Sequence, residues 1–375
     1  MQRKENNFNQ RKIAKFILKK GETSKQEIAS ELGLSMPTVL QNVKELVQNG
    51  LVIETGKYES TGGRKAAVLS IAEQFRTAVG IDITANHISY VLMDLCGKVI
   101  AKKRMKSVFA NDSAYYQSVA DNLETFLRDI DADRKKILGV GFSLPGIINK
   151  HDNVLVRSHV LKQNHMNLKP FSQRIPFPVS YENDANSALF AETHHIDTDM
   201  IYLSLSNSVG GAIYLNGKIF EGNHRRSAEF GHMIVEFNGK TCYCGKKGCA
   251  DAYCSATVLL KYADSLEDFF ECLQDGDTEI QTAWDNYLDH LAVLITNLRM
   301  AFDCDIMLGG YVGGYLKQYM PELSCKAVQY NMFENDTLYI KNCTYEKEAS
   351  AVGAAREASA IGAAMYFFDS YLNSL

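Results

Sequence analysis

The most specific chemical pattern in this sequence is a group of three cysteines that follows a histidine. Cys242, Cys244 and Cys249 lie within TCYCGKKGC, and His232 precedes the first of them by ten residues. Two glycines in the segment allow its backbone to turn around a single point. Three thiolates and one imidazole complete a tetrahedral Zn²⁺ site and leave no open position for a reactant. The sequence therefore predicts a structural zinc ion.

Two alternatives to this ligand set stay open. Cys254 is close enough in sequence to replace one of the three cysteines. The cysteines could also be ordinary buried thiols beside a core histidine, although that is less common at this spacing. The remaining cysteines show no pairing pattern and are expected to be reduced core residues: Cys96, Cys272, Cys304, Cys325 and Cys343.

DNA binding is the second chemistry that the residues suggest, and it is concentrated at the start of the chain. Residues 1–75 contain 12 Lys and Arg against 8 Asp and Glu, a net charge of +4, which leaves −8 for the rest because the whole chain carries −4. Helical spacing before Gly21, a capping box from Ser24 to Glu27, and Ser35 followed by Pro37 predict three successive helices. A helix-turn-helix is therefore expected in this segment.

The third of these helices is predicted to contact DNA through its outer face. Val39, Val43 and Leu46 recur at i, i+4 and i+7, so they are expected to face the core. Polar side chains that are expected outside this stripe, where they can bond base edges or phosphates, are Ser35, Thr38, Gln41, Asn42 and Lys44.

A polar hairpin after the third helix is predicted to form a wing. LVIET and AAVLSI alternate as strands, and GKYESTGGRK joins them. Gly62, Gly63 and Arg64 at its tip suit a narrow, electronegative minor groove. The alternative is a solvated hairpin on a protein-interaction module.

The remainder of the chain reads as two related α/β halves. TAVGIDI, HISYVLMD and KVIAKKRM predict three strands, with a turn at residues 96–98. MIYLSLS, GAIYL and KIFEG repeat the pattern, with a turn at residues 216–218. Further strands are expected at ILGVGFSL and PVSYEN. A long helix is expected from about Trp284 to Phe302, and an Ala-rich closing helix at residues 356–375.

Several of these segments together resemble the ROK family, which is named for repressors, open reading frames and kinases. The similar segments, in order, are SLPGII (143–148), ENDAN (182–186), AEFGH (228–232), TCYCGKKGC (241–249) and IMLGG (306–310). The resemblance covers essentially the whole chain. It implies an actin-like (ribonuclease H-like) two-lobed domain with a sugar in its cleft, preceded by a winged helix-turn-helix. The implied domains are residues 1–75, a first lobe of 76–198 with the helix 356–375, and a second lobe of 199–355 with the zinc site.

The resemblance also implies a set of sugar-binding residues: Asn183, Asp184, Glu229, His232 and Asp251, where the family has Glu in place of Asp251. Carboxylates and amides suit this role because each can bond one or two hydroxyls. His232 can serve both sites, with one ring nitrogen on zinc and the other on a sugar hydroxyl. Alternatively, Asp184 only caps the helix that follows and Glu229 is solvated.

Two turns depart from the family's nucleotide-binding pattern. Residues 82–86 read DITAN where a kinase resembles DxGGT, and residues 206–211 read SNSVGG where it resembles GTGxGG. Glycine lets backbone N–H groups approach a phosphate without a Cβ in the way, so these changes argue against phosphoryl transfer and against any catalytic residue. The sequence therefore predicts a sugar-responsive transcriptional repressor that acts on operator DNA as a homodimer or tetramer. The alternatives are a sugar kinase with Asp184 as base, and a cleft that responds to a protein partner.

Composition agrees with a folded protein in the cytoplasm. The chain has 375 residues, of which 46% are hydrophobic and 22% charged, as in ordinary globular domains. No uncharged apolar run reaches the roughly 18 residues of a membrane span. The basic N-terminus lacks the apolar region and cleavage site of a secretory signal. We expect no membrane partner.

Overall fold

The computed structural model describes residues 2–57, 67–193, 198–343, 367–368 and 370–375. The chain divides into two compact units. One comprises Met1–Ser143, Asn167–Tyr181 and Ala363–Leu375, and the other comprises Leu144–Met166 and Glu182–Gly362. The predicted limits of the three domains stay predictions. The predicted wing-tip residues Gly62, Gly63 and Arg64, and residues 356–366 of the predicted closing helix, lie outside the described residues; residues 367–368 and 370–374 are helical.

Strands and helices follow one another in mixed α/β order. The strands are β1 Val52–Lys57, β2 Ala67–Ile71, β3 Thr77–Ile83, β4 His87–Asp94, β5 Val99–Lys106, β6 Ile137–Leu144, β7 Ile147–Asn149, β8 Val154–Ser158, β9 Gln163–Asn167, β10 Val179–Asn183, β11 Met200–Leu205, β12 Val209–Leu215, β13 Lys218–Ile219, β14 Asp305–Gly309 and β15 Ile340–Asn342. The helices are α1 Gln2–Lys20, α2 Lys25–Leu32, α3 Met36–Gln48, α4 Ser113–Asp129, α5 Lys169–Ser172, α6 Asp184–Thr193, α7 Asp251–Cys254, α8 Ala256–Leu259, α9 Leu266–Gln274, α10 Thr278–Phe302, α11 Gly310–Leu316 and α12 Met320–Tyr330.

The N-terminal segment forms the three predicted helices followed by the antiparallel pair β1 and β2. The Ser24 hydroxyl accepts from the Glu27 N–H at 3.2 Å and so starts α2. Gly33, with φ of +62°, ends that helix. The Ser35 hydroxyl accepts from the Thr38 N–H at 3.3 Å and starts α3. The predicted helix-turn-helix is therefore confirmed.

The two larger sheets have the same strand order. In the first unit the order is β10-β6-β3-β4-β5, and in the second it is β15-β14-β11-β12-β13. In each sheet the first three strands along the chain form an antiparallel meander, and the fourth pairs parallel to the first. The strand pattern that repeats in the sequence thus corresponds to two sheets of equivalent topology.

The core of the second unit is built around α10. This helix starts at Thr278, six residues before the predicted start, because the Asp277 carboxylate accepts from the Glu279 and Ile280 N–H groups at 2.9 and 3.1 Å. Trp284 and Leu291 of α10 are buried in the same cluster as Ile306 of β14. Within the described residues, none of the helices combines the length and apolar character that a bilayer crossing requires.

Candidate ligand and metal site

His232 and the three predicted cysteines converge on one point of the second unit. Their ligand atoms all lie within 4.8 Å of one another. The Cys244 and Cys249 sulfurs are 3.7 Å apart, and the Cys242 sulfur lies 3.9 Å from His232 Nδ1. Tetrahedral Zn²⁺ with Zn–S bonds of about 2.3 Å would place its sulfurs about 3.8 Å apart. The donor set and its spacing fit a metal ion. Cys254, the alternative ligand, lies outside this group of four.

The two glycines of the cysteine loop have the backbone conformation that the sequence predicts. Gly245 and Gly248 have φ of +87° and +81°, which favours glycine. A Cβ on Gly248 would lie 1.8 Å from the Glu236 carbonyl oxygen. No other residue fits at position 248 unless the loop around the ligands moves.

Asn183 and Asp184 lie at the junction of β10 and α6. The Asn183 side chain accepts from the Asn186 N–H at 3.0 Å, and its amide donates to the Gly146 carbonyl at 3.0 Å. Asn183, rather than Asp184, therefore caps α6. Asp184 Oδ1 instead accepts from the adjacent Ala185 N–H and from the Asn183 amide, both at 3.0 Å. Burial raises the pKa of Asp184, and the nearby Glu229 charge adds to this.

Burial also raises the pKa of the other two candidate carboxylates, Glu229 and Asp251. For Glu229, the electrostatic interactions with His232, Arg157 and Arg226 oppose the shift. For Asp251, the opposing interaction is a 2.6 Å hydrogen bond that its Oδ1 accepts from the Val209 N–H. The five predicted sugar-binding residues all belong to the second unit.

Tyr243, which sequence reasoning missed, lies beside these groups. It stands between two of the cysteine ligands, and its hydroxyl lies 3.4 Å from His232 Nε2. Its ring contacts the His232 ring at 5.4 Å and the His159 ring at 5.1 Å between centroids. Partial burial raises the pKa of Tyr243, and the charges of Asp251 and Glu229 add to this. An aromatic residue inside a cysteine loop was the available signal.

An ion pair on a buried carboxylate, also missed, supports the start of α6. Lys150 contacts the buried Glu182 carboxylate and lies 2.6 Å from Glu221 Oε1. The other Glu182 oxygen accepts from the Asn183 N–H at 2.8 Å and from the Asn186 amide at 3.1 Å. Removing Lys150 would take away a positive charge that compensates the burial of Glu182. The ion pair therefore helps Glu182 to position Asn183.

The two turns that depart from the kinase pattern use their polar groups internally. In the first turn, the Thr84 hydroxyl donates to the His87 carbonyl and accepts from the His87 N–H, both at 3.1 Å. In the second, the Val209 N–H is bonded to Asp251, and the Ser206 carbonyl accepts from the Ala256 N–H at 2.7 Å. These polar groups of the two turns are therefore already hydrogen-bonded within the protein, without a phosphate.

Asn42, which was predicted on the DNA-contacting face of α3, is buried instead. Asn42 is 1% exposed, and its amide donates to the Thr38 carbonyl at 2.8 Å. It lies three residues after Val39 and four before Leu46, so it shares their buried face. Ser35, Gln41 and Lys44 are exposed and Thr38 is partly exposed, as predicted. The prediction that Asn42 lies on the exposed, DNA-facing side of α3 is therefore wrong.

Comparisons with known proteins agree with this architecture. A model of the ROK family matches residues 78–360, and a model of winged helix-turn-helix DNA-binding segments matches residues 9–53. The xylose repressor of Bacillus subtilis (strain 168) is 27% identical over 308 residues, 79% of each chain. The N-acetylglucosamine repressor of Escherichia coli O157:H7 is 24% identical over 260 residues, 67% of this chain and 63% of that protein.

Solved structures share the fold. A ROK family transcriptional regulator, a homolog of the E. coli MLC protein, superposes with a TM-score of 0.73 at 19% identity over 99% of both chains. A ROK hexokinase from Thermus thermophilus gives 0.61 at 22% identity over 77% of this chain and 97% of that one. The predicted actin-like α/β fold with an N-terminal helix-turn-helix is confirmed. Since the family model spans most of its length, this chain belongs to the ROK family.

Proposed function

We propose that this protein is a sugar-responsive transcriptional regulator that represses carbohydrate-utilisation genes from operator DNA. The observation that carries the proposal is the presence, in one chain, of two features. One is a helix-turn-helix with exposed polar residues on α3. The other is a group of polar residues in the second unit in which Asp184 interacts electrostatically with Glu229, and Glu229 and Asp251 with His232. Relatives named as xylose and N-acetylglucosamine repressors support the same combination.

The sugar is proposed to contact Asn183, Asp184, Glu229, His232 and Asp251. These side chains offer both donors and acceptors, so a ligand that lacks the matching hydroxyls would leave polar groups unpaired. Asn183 is already oriented by the Gly146 carbonyl and the start of α6, and Asp251 by the Val209 N–H. Such prior orientation lowers the entropic cost of binding.

The metal is proposed to be a structural Zn²⁺ held by His232, Cys242, Cys244 and Cys249. Such an ion stabilises its loop and fixes the orientation of the histidine ring. His232 Nδ1 is the ring nitrogen on the cysteine side, which leaves Nε2 for a hydrogen bond to the sugar.

DNA contact is proposed through the exposed side chains of α3, Ser35, Thr38, Gln41 and Lys44, and through the wing residues Gly62, Gly63 and Arg64. We propose a homodimer, because two heads read a roughly palindromic operator with half-sites about one helical turn apart. Sugar binding would then change operator affinity through its different affinities for two arrangements of the heads.

A DNA-binding titration with the protein's own upstream region tests the proposal. Fluorescence anisotropy is measured without sugar and with D-xylose, D-glucose and N-acetyl-D-glucosamine. We expect sequence-specific binding whose affinity changes about 5- to 150-fold with one of the sugars, the usual range of allosteric coupling. The double variant Gln41→Ala, Lys44→Ala should lose binding, whereas the exposed control Lys102→Ala should retain it. Failure to bind this DNA under every condition would refute the proposal.

A sugar kinase with an accessory DNA-binding head is the second candidate, which the retained Asp184 favours. ADP release is measured with ATP and a panel of hexoses. We expect none, because the Val209 N–H and the Thr84 hydroxyl are already bonded within the protein and phosphoryl transfer depends on positioning. Turnover that disappears in Asp184→Asn would establish the kinase instead.

A further inference from the structure

The hydroxyl of Tyr243 occupies the hydrogen-bonding position on His232 that a sugar would use. One ring nitrogen of His232, Nδ1, faces the Cys242 sulfur at 3.9 Å and is therefore on the metal side. The other, Nε2, faces the Tyr243 hydroxyl at 3.4 Å. Nε2 is thus the ring nitrogen of His232 that remains for a ligand, and in this structure it already contacts the Tyr243 hydroxyl.

Only one partner can use this nitrogen well. When Nδ1 binds a metal, Nε2 carries the single ring proton, and a single N–H makes one well-aligned hydrogen bond. At 3.4 Å the contact with Tyr243 is long compared with the usual distance of roughly 2.7–3.2 Å. A sugar hydroxyl at normal distance would therefore replace it.

The surroundings of Tyr243 allow its side chain to move. Tyr243 is 54% exposed. Within the described residues, the aromatic rings that its ring contacts are those of His159 and His232. His159 is itself exposed. Rotation of Tyr243 away from His232 would therefore disturb no buried ring packing in the described part of the chain.

We propose that Tyr243 is a specificity-determining residue that covers His232 Nε2 in the free protein and is displaced when a sugar hydroxyl takes its place. The inference rests on the proposed function, because it concerns the same sugar site. The Tyr243 hydroxyl competes with the ligand for His232 Nε2. Only a ligand with a hydroxyl positioned to bond Nε2 can therefore compensate for loss of the Tyr243–His232 contact.

This role predicts a gain of affinity on removal of the hydroxyl. Tyr243→Phe keeps the ring but frees Nε2, and one net hydrogen bond corresponds to about 2- to 10-fold in the dissociation constant. His159→Ala removes the other ring that holds Tyr243 and should shift affinity in the same direction, by less. The matched control is Tyr262→Phe, since Tyr262 is 43% exposed in the same unit.

The test is calorimetric titration of the full chain, with bound metal quantified, against D-xylose, D-glucose and N-acetyl-D-glucosamine. A tyrosine ultraviolet difference spectrum is recorded with the sugar that binds. We expect tighter binding by Tyr243→Phe, unchanged binding by Tyr262→Phe, and a sugar-induced tyrosine signal that Tyr243→Phe lacks. Equal metal content in all variants shows that the loop is intact.

The outcomes separate this inference from the proposed function. Wild-type protein that binds none of the sugars would count against the proposed function and remove the inference with it. Wild-type binding with unchanged or weaker binding by Tyr243→Phe would overturn the inference alone and would show that the hydroxyl is neutral or contacts the ligand directly.

Discussion

The two five-stranded sheets have the same strand order, but their connections differ. After the meander of the first sheet, residues 107–112 lead directly into α4. After that of the second, residues 220–250 lead to α7 and carry Glu229, His232 and the cysteine loop. The difference teaches that a repeated alternation of apolar residues sets the topology of both halves, whereas one inserted segment supplies most of the chemistry.

The turns between the first two strands of each meander differ in the same way. In the first sheet, Thr84 closes the turn by bonding His87, three residues away. In the second, Asp251 reaches the turn from α7, forty-two residues along the chain. The first turn is stabilised locally, and the second depends on α7, which directly follows the candidate metal ligands.

The largest expected effect is loss of the candidate metal site, which, among the described residues, only the segment after the second meander carries. Cys249→Ser should abolish stoichiometric metal binding and destabilise the second unit by several kcal/mol, because the binding free energy of a structural zinc is also folding free energy. Metal content by plasma mass spectrometry and thermal unfolding measure this. Cys272→Ser is the control, because Cys272 is exposed and not in the core as the sequence predicted. Full metal content in Cys249→Ser would contradict the ligand assignment.

A smaller expected effect is the difference in unfolding free energy between variants of the two turns that Thr84 and Asp251 stabilise. Asp251→Ala removes the acceptor of a buried N–H and should cost about 1.5–3 kcal/mol, whereas Thr84→Val should cost about 1 kcal/mol. Urea unfolding of both variants gives these free energies. Asp251→Asn, which retains an oxygen acceptor, should lose less than Asp251→Ala. Equal losses at positions 84 and 251 would mean that the two turns are equivalent after all.

The smallest expected effect concerns the hairpin turns at residues 96–98 and 216–218. Asp94 is buried and accepts from the Cys96 and Lys98 N–H groups at 3.0 Å, whereas the second turn is held by exposed Asp199, which accepts from the Asn216 N–H at 2.7 Å. Burial raises the pKa of Asp94 although these N–H groups lower it.

Because the folded state then holds the Asp94 proton more tightly than the unfolded state, this group stabilises the protein below its unfolded pKa. That contribution is lost as the pH rises from about 4 through the folded pKa. Asp94→Asn should remove this component, which is measured as the difference between its unfolding free energy and that of the wild type across pH. Asp199→Asn is the control. A difference that does not vary with pH would rule out a raised pKa.

Local patterns predicted most of the fold. Capping residues such as Ser24 and Ser35 marked the starts of helices, because their side chains bond N–H groups three residues away. Asn42 was misplaced because its polarity outweighed its position on the buried stripe. The start of α10 was missed because Asp277 and the residues after it carry the capping signal but few apolar residues.

The candidate site was predictable only where its residues lie in short motifs. Spacing alone brought out the three cysteines, and the family resemblance supplied Asn183, Asp184, Glu229 and Asp251. Tyr243 was missed although it lies inside the cysteine motif, because the motif does not show that its hydroxyl reaches His232. His159 and Lys150 were missed because their contacts join segments distant in sequence. Such contacts leave no periodic signal for a single sequence to reveal.

The compactness of the ligand set in sequence bears on how the chain assembles during synthesis. All four donors lie between residues 232 and 249, so only a short loop has to close around an ion, and the entropy cost of closing a loop is lower when the loop is shorter. The segment would therefore be able to bind the proposed Zn²⁺ as soon as it leaves the ribosome. β14 and β15 begin at residues 305 and 340, so the proposed ion would be in place before the second sheet can be completed.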